Sequence, residues 1–155
     1  LLRILIIEDN SEDCKVLKKG IVNSLVLKMI GNKKDLAFCY FLINTDKNLL
    51  TSVCNSDTDI LSALINVVTF IGKSFKLVVS ETNCIWQPHE DFDVSLNTLV
   101  DLVKCMLESQ GQTADHLKKT LQQLKLQPGC SFWVELERQC HLAVLAKCFI
   151  TSISS

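Results

Sequence analysis

"LINVVTFIGKSFKLVVSETNCI", residues Leu64–Ile85, lies without a gap over "LLRILIIEDNSEDCKVLKKGIV", residues Leu1–Val22. Leu64 falls on Leu1, Val67 on Ile4, Val79 on Val16 and Asn83 on Gly20. Gly and Asn are the residues most tolerant of positive φ, so one tight turn explains the last match. The "VNSLV" from Val22 recurs as "LNTLV" from Leu96, with "WQPHEDFD" as the intervening insertion. The order is the same both times: apolar helix, short polar-edged helix, turn, apolar helix. A fixed order repeated along the chain is the mark of a repeat architecture.

The surrounding sequence supports an all-α fold. Apolar residues recur every three or four positions in "DILSALINVVTFIGKSF" and "SLNTLVDLVKCMLES". This spacing predicts helices over about 1–8, 12–19, 21–31, 35–43, 57–72, 74–82, 94–109, 113–125 and 131–152. Asp57 is positioned as an N-cap, and Asn10 or Ser11 as another, with acids in the turn that follows. Leu25, Leu64, Val67, Leu99 and Val103 are expected in the core. So is Trp133, beside Phe132. "FKLVVS" contains β-branched residues but sits inside a longer helical pattern.

Composition narrows the function classes. The 155 residues suffice for one domain with a core; 48% are hydrophobic, and there are only two prolines and five glycines. Mean hydropathy is +0.25, which argues against long disordered stretches. Net charge is −1 with the signs mixed, so no basic stripe announces nucleic acid and no polybasic run a membrane surface. No apolar run reaches the roughly 18–20 residues of a bilayer span. The first residues, Leu1 and Leu2, carry no signal-peptide pattern, and the chain reads as a piece of a longer protein. The eight cysteines sit mostly among apolar residues, there is no Asn-x-Ser/Thr sequon, and the expectation is reduced thiols in an intracellular setting, cytoplasmic or nuclear. The alternative is a secreted or viral helical bundle stapled by disulfides and binding a receptor.

The opening "RILIIEDNSED", Arg3–Asp13, is similar to the first strand and acidic cluster of a bacterial receiver domain. A receiver needs further buried strands, and the downstream runs have helical spacing instead. Glu8, Asp9, Glu12 and Asp13 therefore read as a solvated turn between helices. His89, His116 and His141 are scattered, no nucleophile elbow occurs, and the glycines are too isolated for a phosphate loop. Cys140, His141 and Cys148 are the nearest approach to a metal cluster, and positions 141 and 148 are two helical turns apart, about 10 Å. Neither catalysis, a cofactor nor a metal is expected.

"NSEDCKVLKKGIVNSLVLKMIGNKKD", residues 10–35, resembles the core of an armadillo repeat. "ALINVV" from Ala63 resembles the motif of that repeat's third helix, "FKLVVSETNCI" the next short helix and its turn, and "HLAVLAKCFITSIS" from His141 a further third helix. HEAT-type repeats fit nearly as well. The resemblance implies an armadillo-like superhelix of two degenerate repeats flanked by partial ones, with insertions at about 33–54, 86–93 and 110–128. Such repeats stack on neighbours in a parent chain and act as interaction scaffolds. It further implies that Arg3, Asn66 and Lys147 line a concave groove for an extended peptide, acidic or polar, with Asn66 bonding its backbone. The sequence departs from importin-like receptors, which place a Trp where Ser62 stands. A second candidate surface is the insertion carrying Trp86, His89 and Phe92, since aromatics dominate interaction hot spots.

Overall fold

In a computed structural model, described for residues 2–30, 36–90 and 92–153 with the side chains of 30, 36, 143–149, 151 and 152 left aside, the chain is mostly helical. The helices are α1 (Leu2–Leu5), α2 (Glu12–Ile30), α3 (Leu36–Ile43), α4 (Lys47–Ser56), α5 (Thr58–Ser74), α6 (Leu96–Glu108), α7 (Gln112–Lys125) and α8 (Ser131–Ile153). Between α5 and α6 stands one antiparallel hairpin, β1 (Lys76–Val79) and β2 (Cys84–Gln87). The joined pair α4–α5 is the hub. α1 packs on α2 and α4, α2 also on α5, and α3 on α2 and α6. On the other side α6, α7 and α8 pack on one another, with α7 and α8 also against α5.

Local chemistry explains the joint. Asp46 caps α4, its carboxylate accepting the Leu49 N–H at 2.9 Å. Asp57 closes α4 by donating its backbone N–H to the Val53 carbonyl, and opens α5 by accepting the Asp59 and Ile60 N–H groups at 3.0 and 3.1 Å. One residue thus stops one helix and starts the next, as its expected capping role requires. The acidic turn is also as expected. Ser11 Oγ accepts the Cys14 N–H at 3.3 Å, Glu12 and Asp13 occupy the first turn of α2, and residues 8–13 are exposed. A hydrogen bond from the Ser11 N–H holds the Asp9 carboxyl below its ordinary pKa.

The expected core is observed: Leu64, Val67, Leu99 and Val103 are fully buried and Leu25 nearly so. Trp133 is buried as well.

Three expectations fail. First, α2 runs without interruption through Gly20, where a sharp turn was expected. A glycine inside a helix costs about 1 kcal/mol against alanine. Burial of Ile21, Val22, Leu25 and Met29 outweighs it, each contributing about 1.5–3 kcal/mol. Second, residues 76–87 form the hairpin where a helix over 74–82 was expected. Asn83 has no positive φ; among the described residues only Gly111 and Gly129 do. Phe75 is buried and draws the chain out of α5, after which the β-branched run suits a strand better than a helix turn. Third, α4 forms over residues for which no helix was expected, partly within the stretch set aside as an insertion. Leu50, Val53 and Cys54 bury its inner face at helical spacing. Val16 therefore lies in a helix and Val79 in a strand, so the equivalence of residues 1–22 with 64–85 does not hold in three dimensions.

A polar clasp ties the two halves together. α7 begins at Gly111, φ +107°, and receives no cap from that residue. Asn55, at the end of α4, supplies it from afar. Its Oδ1 accepts the Thr113 N–H at 3.2 Å and the Thr113 hydroxyl at 2.6 Å, and its Nδ2 donates to the Gln110 carbonyl at 2.9 Å. Gln112 Nε2 donates back to the Cys54 and Asn55 carbonyls. Asn55→Ala is expected to cost about 1–2 kcal/mol, the scale of a lost cap. Urea unfolding measures the loss, and amide exchange should speed selectively at Thr113. Unchanged protection there would refute the clasp.

Candidate partner-binding cleft

α3 is the element with no polar face. "LAFCYFLI" is apolar at every position. Cys39, Leu42 and Ile43 turn inward and are buried, so Phe41 is left 67% exposed on the outer side. Beside it opens a cleft of about 270 Å³. Leu2 and Arg3 of α1, Leu25 of α2, Phe38, Phe41 and Leu42 of α3, Thr45, and Leu49 of α4 line it. Leu25 and Leu42 are its buried floor. The wall is fixed at the C-terminal end of α3, where Asn44 Nδ2 donates to the Tyr40 carbonyl and Thr45 Oγ1 to the Phe41 carbonyl, each at 2.9 Å.

Among the described residues that line this cleft, Arg3 is the one with a charged side chain. Arg3 is exposed at the rim and its guanidinium makes no ion pair among the described residues. The Lys28 ammonium lies 5.3 Å from the centroid of the Phe38 ring, in cation–π range. No described carboxylate lines the cleft. The lining is apolar apart from the Arg3 guanidinium and the Thr45 hydroxyl.

The residues singled out by sequence are not brought together. Arg3 lines the cleft. Asn66 is exposed on α5 with no side-chain hydrogen bond among the described residues, and it does not line the cleft. Lys147 belongs to α8, and its side chain lies outside the described residues. In the hairpin region, Trp86 is half-buried, its indole edge-on to Phe132 at 5.4 Å. Phe92 packs on Phe70 at 5.5 Å and Tyr40 at 6.4 Å. His89 is exposed, its carbonyl accepting the Phe92 N–H at 2.8 Å. Trp86 and Phe92 thus anchor their loop to the body. Phe38, Phe41, Leu42 and Leu49 were missed because they fall in the stretch read as an insertion. An unbroken apolar run has no polar face from which to assign its phase.

Other clefts are less suited to a partner. One of about 830 Å³, between the α1–α2 connection and the α4–α5 joint, has Lys18 in its wall, and this ammonium already donates to the Ile7 carbonyl. Another, of about 200 Å³ between α6, α7 and α8, mixes Lys104 and Lys118 with Glu108 and Glu137, the last paired with Lys125. Cys14, Cys54, Cys84, Cys105, Cys130 and Cys140 are free thiols. Burial pushes Cys54 up to about 12 and Cys140 to about 11, so neither is a thiolate at neutral pH. No helix among the described residues is long and apolar enough to cross a membrane. Comparisons with protein-family models, curated proteins and solved structures match nothing, and the reading of function therefore rests on the chemistry of the cleft.

Proposed function

We propose that this chain is a non-catalytic protein-interaction module that grips an extended segment of a partner, one bearing a large apolar residue beside a carboxylate. The supporting observation is Arg3, without an ion pair among the described residues, at the rim of a mostly apolar cleft, with Phe41 held 67% in solvent beside the buried floor. Covering Phe41 and the cleft removes apolar surface from water, about 25 cal/mol per Å². Arg3 then adds direction, since a guanidinium meets a carboxylate in bidentate geometry. The partner class agrees with the acidic or polar segment that the armadillo resemblance implies. The stacking of repeats in a parent chain belongs to that resemblance, and the uninterrupted α2 and the hairpin leave it without the alignment that suggested it. An intracellular setting is part of the proposal, because free thiols at Cys14, Cys54, Cys84, Cys105, Cys130 and Cys140 fit a reducing compartment.

Selection of random displayed peptides on the protein tests the reading. Enriched peptides should place Asp or Glu next to Leu, Ile, Phe or Trp. Arg3→Glu and Phe41→Ala should each weaken their binding about tenfold, the equivalent of ~1.4 kcal/mol. Both residues are exposed, so thermal unfolding should stay at the wild-type temperature. Enriched peptides that bind both variants as well as wild type would overturn the proposal.

A further inference from the structure

We propose that the hairpin joins two copies of this chain, β1 pairing antiparallel with β1 of a second copy about a two-fold axis at Val78. Among the described residues the sheet has two strands, and β1 has no neighbour on its outer side. Its ladder fixes which groups face outward. Ser80 donates its N–H to the Asn83 carbonyl at 2.8 Å, and the register continues Val79 with Cys84, Val78 with Ile85, Leu77 with Trp86 and Lys76 with Gln87. Bonded and non-bonded pairs alternate in an antiparallel ladder. Ser80–Asn83 is bonded, so Val78–Ile85 is the next bonded pair. Leu77 and Val79 therefore turn their N–H and C=O groups outward, and no hydrogen bond among the described residues uses them.

This edge lacks the features that keep edge strands apart. It has no proline, no residue of positive φ, and one charge, Lys76, at its start. Its side chains are also in solvent: Leu77 is 49% exposed, Val78 43% and Val79 69%. A two-fold axis at Val78 sets Leu77 against the second copy's Val79 as a bonded pair, and Val78 against the second copy's Val78 as a non-bonded pair. Lys76 then faces Ser80, so no like charges oppose each other. Every apolar side chain of β1 meets an apolar one, and each outward N–H and C=O of Leu77 and Val79 finds its partner. Self-complementarity of this kind is what an isologous interface requires. The β2 edge is the lesser candidate, because Trp86 is already held against Phe132. The proposal rests on the hairpin alone and is independent of the cleft.

Sedimentation and cysteine cross-linking test it. The wild-type chain should dimerise with rising concentration. Val78→Lys and Val78→Glu should each weaken dimerisation at least about tenfold, because they place like charges face to face. Mixing the two variants should restore the dimer. In a Cys84→Ser background, Val78→Cys should form a disulfide-linked dimer on oxidation, because non-bonded pairs bring Cα atoms to about 4.5 Å. Leu77→Cys, opposite Val79 rather than its own copy, should not. A wild type that stays monomeric would overturn the proposal. So would a dimer that survives both charge variants, or cross-linking at Leu77→Cys in place of Val78→Cys. A monomer that still binds acidic–apolar peptides would sink the self-pairing and leave the cleft reading intact.

Discussion

Gly72→Ala is expected to destabilise the fold by about 2 kcal/mol, although alanine is the better helix former. A Cβ at position 72 would stand 2.2 Å from Cη2 of Trp133 and 2.8 Å from Cζ2 and Cζ3. The indole has little room to retreat. Trp133 is 4% exposed and has Phe132 edge-on at 5.2 Å, and Phe132 in turn stacks on Phe75 at 4.8 Å. Helix propensity favours alanine by about 1 kcal/mol. Overpacking a rigid site costs about 1–3 kcal/mol and occasionally more, and a methyl group this deep inside a ring belongs at the upper end. The clash therefore wins, and for a chain of this length the melting temperature should fall by about 4–8 °C. Trp133→Leu in the same molecule should recover part of the loss, a coupling that a double-mutant cycle reads directly. A melting temperature equal to or above wild type would show that α5 and α8 do not meet through this notch.

Leu64→Ala should be costlier, about 2–5 kcal/mol. Leu64 is fully buried on α5, among Ile60, Leu61, Val67, Val68 and Ile71. The cost of such a cavity depends on how far its walls can collapse. Here α5 is held at one end by the Asp57 cap and at the other by the Gly72–Trp133 contact, so little relaxation is available and the upper half of the range is expected. Two positions along the same helix, Asn66 is exposed, and its replacement by alanine should stay within about 0.5 kcal/mol. Denaturant midpoints of the pair provide the measurement. A loss below about 1 kcal/mol at Leu64 would mean that α5 is not the hub of the core.

The sequence was most legible where structure is set locally. Asp57, the acidic turn after Ser11, and the buried faces of α5 and α6 follow from caps and periodicity within one or two turns of chain. Gly20 misled because a glycine signals a turn only when nearby burial does not overrule it. The hairpin was hidden because two adjacent valines, Val78 and Val79, cannot outvote the helical period on either side. What decides them is Phe75, whose burial against Phe132 is a contact with a residue far along the chain. The cleft was half legible. Arg3 was identified from a repeat pattern that the structure does not keep, whereas the apolar wall it faces lay in a run with no phase to read. Nothing in the sequence near Asn55 announces Thr113 as its partner.

The clasp between Asn55 and the start of α7 has a consequence for how this protein can change. It ties the neck of a long excursion containing α5, the hairpin and α6. A segment pinned at its base tolerates alteration at its tip, because lengthening a flexible turn adds closure entropy only logarithmically, about 0.6 kcal/mol per doubling. The turn at Ser80–Asn83 is such a tip: residues 80–83 are exposed, and the residues they join reach the body through Trp86. Changes of length or sequence there leave the neck in register, while the same changes between Gln110 and Thr113 would pull the cap from its helix. The chain thus separates a turn free to drift, at the tip of the hairpin, from a neck that must be inherited intact.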